Sequence, residues 1–340
     1  MISVLVVDDS ATVRSYLRSL LEEDPELRVV GEAADGKVAV AACARLRPQV
    51  VTMDLIMPRS GVEAIRRIMD ETPTPIVIVS ALAEYEKDRT VFEALSAGAL
   101  SVVRRPPSQR HPDFATRQRE LLDAVKTAAG ITLVRRRRPQ PAAVKAVTVP
   151  AAAGTRLVGI GASTGGPAAV MTLLQGLPKD FSPSVLLVQH MTPGFTAGLV
   201  EWLNAGSPLP VRLATAGTRL PWQGALVAPD GHHLTIRHDV LYLEAGKPRG
   251  GHRPSVDVLF ESMADWDPRA CVGVLLTGMG EDGAEGLHRL RRLGGRTFIQ
   301  TEESCVVFGM PGTALRLGAA ERALSPAGIA QALAGLAEAA

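Results

Sequence analysis

LVGIGASTGGP, residues 157–167, runs from a continuous apolar stretch into a glycine-rich turn and on toward a helix start. Two chemistries overlap on it. Gly159, Gly161 and Gly165 follow the apolar run as in a loop that cradles a dinucleotide phosphate. Gly161-Ala162-Ser163-Thr164-Gly165 also reads G-x-S-x-G, a serine on a tight strand-to-helix turn. On either reading a buried strand turns into a helix, which is the repeating unit of doubly wound α/β sheets. Units of the same kind recur on both sides of this stretch.

Toward the N-terminus the alternation is clean. Residues 2–7 are a β-branched run of the kind expected in a strand buried on both faces. Ser10 is placed to cap a helix through Leu21, in which Val13, Leu17, Leu20 and Leu21 repeat at helical spacing. Strands at 28–32, 49–53, 75–80 and 100–103 alternate with helices at 36–46, 61–71, 86–97 and 114–128. Five such units predict an α/β fold, with one doubly wound parallel sheet over residues 1–128. In residues 129–155 the pattern stops. This Arg/Pro/Ala-rich segment holds an arginine run at 135–138, and Pro139, Pro141 and Pro150 oppose regular pairing. It reads as an extended linker whose arginines form a solvated hinge.

A second α/β unit spans 156–340. Its strands are expected at 157–161, 184–189, 271–277 and 296–300. Its helices are expected up to about 175, then at 194–204, 256–266 and 284–293, before a terminal helical region. Short pieces at 224–228, 233–236 and 240–243, separated by turn residues, read as hairpins.

Bulk composition excludes several classes. The 340 residues are 46% hydrophobic and 21% charged with a net charge of +2, so nothing global points to nucleic acid or membrane. The basic excess is local, at Arg104, Arg105, Arg110, Arg117 and Arg119 and in the arginine run. Cys43, Cys271 and Cys305 are widely spaced and odd in number, which fits a reducing compartment without disulfides or a zinc site. No signal-like n-region and no bilayer-length apolar stretch is present, so a cytoplasmic protein is expected.

Three aspartates of the first unit follow strand ends: Asp8 and Asp9 after the first strand, Asp54 after the third. Parallel strands present these ends along one edge, so the carboxylates converge and repel. A hard divalent cation resolves the repulsion, and Mg²⁺ fits oxygen ligands. Ser80 and Arg105 end the fourth and fifth strands, where a hydroxyl and a cation can contact a phosphoryl group on Asp54. The segments VLVVDDS, MDLIMPRSG, VIVSA and RRP resemble a response-regulator receiver domain over residues 1 to about 128. The resemblance implies that Asp54 accepts a phosphoryl group from a histidine kinase, and that Asp8, Asp9 and the main-chain carbonyl of Ile56 help hold Mg²⁺. One position departs from that family: Arg105 stands where lysine is usual, keeping the charge on a planar fork.

For the opening stretch, a dinucleotide site calls for an acidic residue ending the next strand. That strand ends in Gln189-His190 instead. His190 is therefore one strand end away from Ser163, and Asp282 follows a further strand in LLTGMGEDG. A serine nucleophile needs a base, and the base needs an orienting carboxylate. Amides near Thr164 and Met279 can receive an oxyanion. Other arrangements remain open on residues alone. Ser163 can be a helix cap, Asp282 an N-terminal helix charge, and His252 or His288 an alternative base. Strand-end position favours His190, because His252 lies in a Gly/Pro-rich loop and His288 inside a helix.

GIGASTGGP, VLLVQHMTPGFT, APDGHHL, RPSVDVLF, GVLLTGMGEDGAEG and ESCVVFGMPG together resemble the catalytic domain of the chemotaxis protein-glutamate methylesterases. The resemblance implies hydrolysis of γ-glutamyl methyl esters on chemoreceptor cytoplasmic domains, and in some members deamidation of receptor glutamines. It implies Ser163, His190 and Asp282 as the triad, with Thr164 and Met279 on the oxyanion side. It further implies that the unphosphorylated receiver covers the catalytic cleft. No cofactor is expected for ester hydrolysis, and a monomer is expected. Three competing classes remain: a transcriptional regulator, a phospho-regulated binding module without catalysis, and a relative serving a non-chemotactic pathway.

Overall fold

The computed structural model describes residues 1–57, 61–80, 89–131 and 154–338. The arginine run at 135–138, most of the expected linker at 129–155 and the start of the expected helix at 86–97 lie outside the described residues. The chain divides into two compact units, Met1–Arg138 and Pro139–Ala340.

In the first unit strands and helices alternate strictly: β1 (Ile2–Val7), α1 (Ala11–Glu22), β2 (Leu27–Ala33), α2 (Gly36–Leu46), β3 (Val50–Met53), α3 (Gly61–Glu71), β4 (Ile76–Ser80), α4 (Arg89–Ala97), β5 (Ser101–Arg104) and α5 (Phe114–Ala129). The sheet order is β2-β1-β3-β4-β5, with every pair parallel. Val4–Val7, β3 and β4 are buried throughout, which is why these segments read as continuous apolar runs. Ser10 caps α1 through the Val13 amide, and Asp35 caps α2 through the Val38 amide at 2.9 Å. Chain order reverses between β1 and β3, where ligands bind in open α/β sheets. Val7 lies opposite Met53 in the register, so Asp8 and Asp54 leave the sheet side by side.

The second unit contains β6 (Leu157–Ala162), α6 (Gly166–Gln175), β7 (Ser184–Gln189), α7 (Thr196–Gly206), β8 (Val211–Leu213), β9 (Ala225–Val227), β10 (His233–Arg237), β11 (Val240–Glu244), α8 (Val256–Trp266), β12 (Cys271–Leu275), α9 (Ala284–Arg292), β13 (Arg296–Gln300), α10 (Met310–Arg316), β14 (Arg322–Leu324) and α11 (Pro326–Glu338). Its main sheet runs β14-β13-β12-β6-β7-β9-β8 and is parallel in every pair. Among the described residues only β10 and β11 form an antiparallel hairpin. Two expectations are corrected here. The piece at 224–228 is no hairpin arm: β9 is buried at all three residues and pairs parallel with β7 and β8. The terminal region expected to be helical also contributes β14, an edge strand too short to show a period.

The glycines of the opening stretch divide their work. Gly159 and Gly161 lie inside β6, where α8 crosses so closely that a Cβ on Gly161 would sit 2.2 Å from Val256 Cγ1. Gly165 makes the turn itself, at φ +76° ahead of α6. Among the described residues no helix is long and apolar enough to cross a membrane.

Candidate active site

Chain order in the second sheet reverses at β6, with β7 on one side and β12 on the other. Ala162 is in register with Gln189, so Ser163 and His190 are the next residues out of two adjacent strands. The His190 amide donates to the Ala162 carbonyl at 2.9 Å, and the Ser163 amide donates to Thr277 beyond β12 at 3.0 Å. A buried side chain ties the two together. Gln189 Nε2 donates to the main-chain carbonyls of both Ser163 and His190, at 2.8 Å each. Ser163 does not cap α6, because Gly165 occupies that position.

His190 Nε2 lies 2.9 Å from Asp282 Oδ2, and both side chains are almost wholly buried. Among the described residues, neither ring nitrogen of His190 closes a hydrogen bond of good geometry, and the approach to Asp282 is an ion-pair contact. The bond from Ser163 Oγ to the imidazole is thus not closed, as is common in active sites without substrate.

Asp282 is held as an anion. It precedes α9, yet its carboxylate serves the N-terminus of α8. Ser255 Oγ donates to Oδ1 at 2.7 Å, the Val256 amide to Oδ2 at 2.7 Å and the Asp257 amide to Oδ1 at 3.1 Å. Burial alone would raise its pKa. His190, the Val256 amide and the Ser255 hydroxyl outweigh burial and hold it well below the usual carboxylate range. Asp257, in the first turn of α8, shows the opposite balance. Burial, then the nearby Asp282 charge, push it up to about 7 despite the Gly286 amide it accepts at 2.7 Å. Of the two carboxylates, the one facing His190 is the one held toward its charged form.

The oxyanion-side residues lie on the same edge. Among the described residues, the main-chain amides of Thr164 and Met279 donate to no protein acceptor, and the Met279 side chain is exposed. Thr277 Oγ1 donates to the Thr164 carbonyl at 3.0 Å, and Gly278 packs against Ser163.

The alternative bases separate. His288 sits within α9, and among the described residues no hydrogen bond or ion pair joins it to Ser163 or Asp282. His252 does not pair with Asp282; its ring lies flat on that of His190, with centroids 4.0 Å apart and planes 3° from parallel. Gln189 and Ser255 were not singled out by sequence reasoning as parts of the site, and His252 was considered only as an alternative base. Ser255 had a local signal, as the cap ahead of the helical run in RPSVDVLF. Gln189 had none, and nothing local signalled the stacking of His252 on His190, because these partners are remote in sequence.

In the first unit, single carboxylate oxygens of Asp8, Asp9 and Asp54 lie within 4.8 Å of one another. Burial, and then the charge of Asp9 beside Asp8 and of Asp8 beside Asp54, raise the pKa values of Asp8 and Asp54, the latter to about 6 even with the Ile56 amide 3.3 Å from its Oδ1. Such all-oxygen, charge-frustrated donors fit a hard divalent cation. Ser80 is buried at the end of β4, and its carbonyl accepts the Arg105 amide at 2.6 Å. The Arg105 guanidinium reaches Asp8 Oδ2 at 3.7 Å. Arg14, not foreseen from the sequence, donates to the carbonyls of Asp8 at 2.9 Å and Asp9 at 3.1 Å.

A family model described as CheB methylesterase matches residues 158–333. One described as response regulator receiver domain matches residues 4–111. The chain is 48% identical over 344 residues to protein-glutamate methylesterase/protein-glutamine glutaminase 4 of Geobacter metallireducens, covering 99% of both proteins. It is 40% identical over 347 residues to protein-glutamate methylesterase/protein-glutamine glutaminase 2 of Methanospirillum hungatei, again covering 99% of each. The crystal structure of the Thermotoga maritima CheB methylesterase catalytic domain aligns with a TM-score of 0.51 and 33% identity, over 54% of this chain and 99% of that one.

Proposed function

The chain belongs to the CheB methylesterase family, with a receiver domain preceding the methylesterase domain, and from that premise we propose that it hydrolyses glutamate methyl esters on chemoreceptor cytoplasmic domains under control of Asp54. Ser163 Oγ attacks the ester carbonyl carbon while His190 takes its proton. The Thr164 and Met279 amides receive the oxyanion. His190 returns the proton to the departing methoxide, and methanol leaves. Water, deprotonated by His190, then attacks the glutamyl-serine ester, which frees the glutamate carboxylate and restores Ser163. Asp282 fixes the imidazole and offsets its positive charge. A receptor glutamine can follow the same course with ammonia leaving.

One observation carries this reading: Ser163 and His190 leave adjacent strands together, and His190 is paired at 2.9 Å with a carboxylate held anionic by a helix N-terminus. A non-catalytic binding module has no use for that charge arrangement.

For the receiver, Asp54 takes the phosphoryl group of a histidine kinase. Asp8, Asp9, Asp54 and the Ile56 carbonyl would hold Mg²⁺, which when bound supplies positive charge against the phosphoryl oxygens. Ser80 and Arg105 contact the phosphoryl group. Phosphorylation shifts the equilibrium between arrangements of the two domains, one of which covers the cleft.

Methanol release from methylated chemoreceptor membranes tests the reading. The full chain releases methanol and Ser163→Ala does not, a loss of at least about 10⁴-fold. Equal rates would remove Ser163 as the nucleophile.

A further inference from the structure

We infer that His252 is a positioning residue for His190, its neutral ring lying flat on the imidazole and fixing the plane in which one nitrogen faces Asp282 and the other is left to Ser163. The inference rests on the assignment of His190 as the base of Ser163 made above.

His190 needs such a support. Among the described residues its ring has a close polar contact to Asp282 Oδ2 at 2.9 Å, and neither nitrogen closes a well-directed hydrogen bond. An imidazole held in that way can still turn about its Cβ–Cγ bond, a soft torsion. A second flat ring at 4.0 Å and 3° removes that freedom.

The supporting ring is itself anchored. The Arg249 amide donates to the His252 carbonyl at 3.0 Å and the His252 amide returns the bond at 2.9 Å. The Arg249 guanidinium grips Glu261 with two bonds of 2.7 Å. Buried His233 spans the segment, accepting from the Ser255 amide at Nδ1 (3.2 Å) while Nε2 lies 3.1 Å from the Lys247 carbonyl. Arg253 donates to the Gly246 carbonyl at 2.7 Å. Three residues past His252, Ser255 and then Val256 bind the Asp282 carboxylate. One braced segment therefore addresses both the face of the base and the carboxylate that orients it.

Charge favours a neutral supporting ring. Around His252 stand His190 and Asp282 across the stack, with Arg249 and Arg253 on its own segment. Two imidazolium rings at this distance repel. Burial first, then His190, hold the His252 pKa below the ordinary histidine value. A neutral aromatic face over His190 also tolerates the positive charge the base acquires during turnover.

The test compares full-length His252→Ala, His252→Phe and Ser163→Ala in methanol release from methylated chemoreceptor membranes, with tryptophan fluorescence confirming folding. Trp202, Trp222 and Trp266 all lie in the catalytic unit, so the fluorescence reports on it directly. His252→Ala is expected to lower kcat about 10- to 100-fold with KM within about twofold, the signature of a misplaced catalytic group. His252→Phe, which restores a flat uncharged ring, is expected to keep kcat within about threefold. Should His252→Ala unfold, His252→Leu keeps apolar volume without a flat ring and carries the same expectation as alanine. An unchanged kcat in His252→Ala or His252→Leu overturns the inference. So does a His252→Phe enzyme as slow as the alanine variant, since that would assign the effect to the imidazole's own polarity. If Ser163→Ala retains native activity, the proposed function itself fails, a result distinct from either of these.

Discussion

Asp54 at the end of β3 has the Asp8 carboxylate for a neighbour, whereas Asp282 beyond β12 has a helix N-terminus and an imidazole. Both stand on the C-terminal edge of a doubly wound sheet, next to the first strand, where chain order reverses. The backbone framework is the same and the electrostatics are opposite. The receiver edge gathers carboxylates that burial and mutual repulsion push toward protonation, Asp54 to about 6. The catalytic edge surrounds one carboxylate with two amides and a hydroxyl, leaving its neighbour Asp257 at about 7. A shared fold thus gathers mutually repelling carboxylates in one case and, in the other, a single carboxylate whose charge is met by two amides, a hydroxyl and an imidazole. The side chains facing each edge decide between them.

Neutralising the two aspartates should therefore have opposite consequences. Asp282→Asn is expected to lower kcat by about 10³- to 10⁴-fold in the methanol assay, since the imidazole loses its orienting charge. It should also destabilise the catalytic unit by about 1–3 kcal/mol in urea melts followed by tryptophan fluorescence, because an anion is lost from a helix N-terminus. An unchanged midpoint would mean that the α8 amides do not depend on that charge. As for pH, the native Asp282 pKa lies below its unfolded value. Its contribution is complete above about pH 4 and fades as pH falls toward the native value.

Gln189 sharpens the contrast, because one buried amide group grips the main chain of both Ser163 and His190. Gln189→Ala is expected to cost about 10- to 100-fold in kcat by loosening their relative position, with about 1–3 kcal/mol lost in the same melts. Gln189→Glu, acceptor-only when ionised, should not rescue it.

Asp54→Asn runs the other way. Without added divalent cation, the native Asp54 pKa of about 6 exceeds the unfolded value. Between about pH 4 and 6 the native state then binds more protons, and stability falls as pH rises. After allowance for solvent screening, the asparagine variant should be more stable at pH 7 by about 1 kcal/mol when divalent cations are removed, measured by calorimetry of the full chain. The gain should vanish or reverse when Mg²⁺ is added to both proteins. The variant should also lose all stimulation by a phosphodonor while keeping basal methanol release. A destabilised asparagine variant in the absence of cation would break the comparison.

The smallest effect is expected at Arg105. Its guanidinium meets Asp8 through a single 3.7 Å contact and no bidentate fork. Arg105→Lys should therefore change phosphodonor stimulation by less than about threefold. A larger change would mean that the planar fork matters once the phosphoryl group is in place.

The sequence by itself determined the alternation of strands and helices, because buried parallel strands must be continuous apolar runs and helix starts need caps such as Ser10. It also put Asp8, Asp54, Ser163 and His190 at strand ends, since each directly follows such a run. Strand neighbours were beyond it. β9 joins the main sheet rather than a hairpin because it pairs parallel with β7 and β8, strands separated from it by intervening chain, and no local pattern encodes them. Only the tertiary structure set β7 and β12 on either side of β6, and so brought His190 and Asp282 to the same serine-bearing edge. It alone sent the Asp282 carboxylate to the α8 N-terminus instead of α9, and laid His252 on His190. Contacts of that kind depend on which surfaces are buried together, and burial is a property of the packed chain rather than of any segment within it.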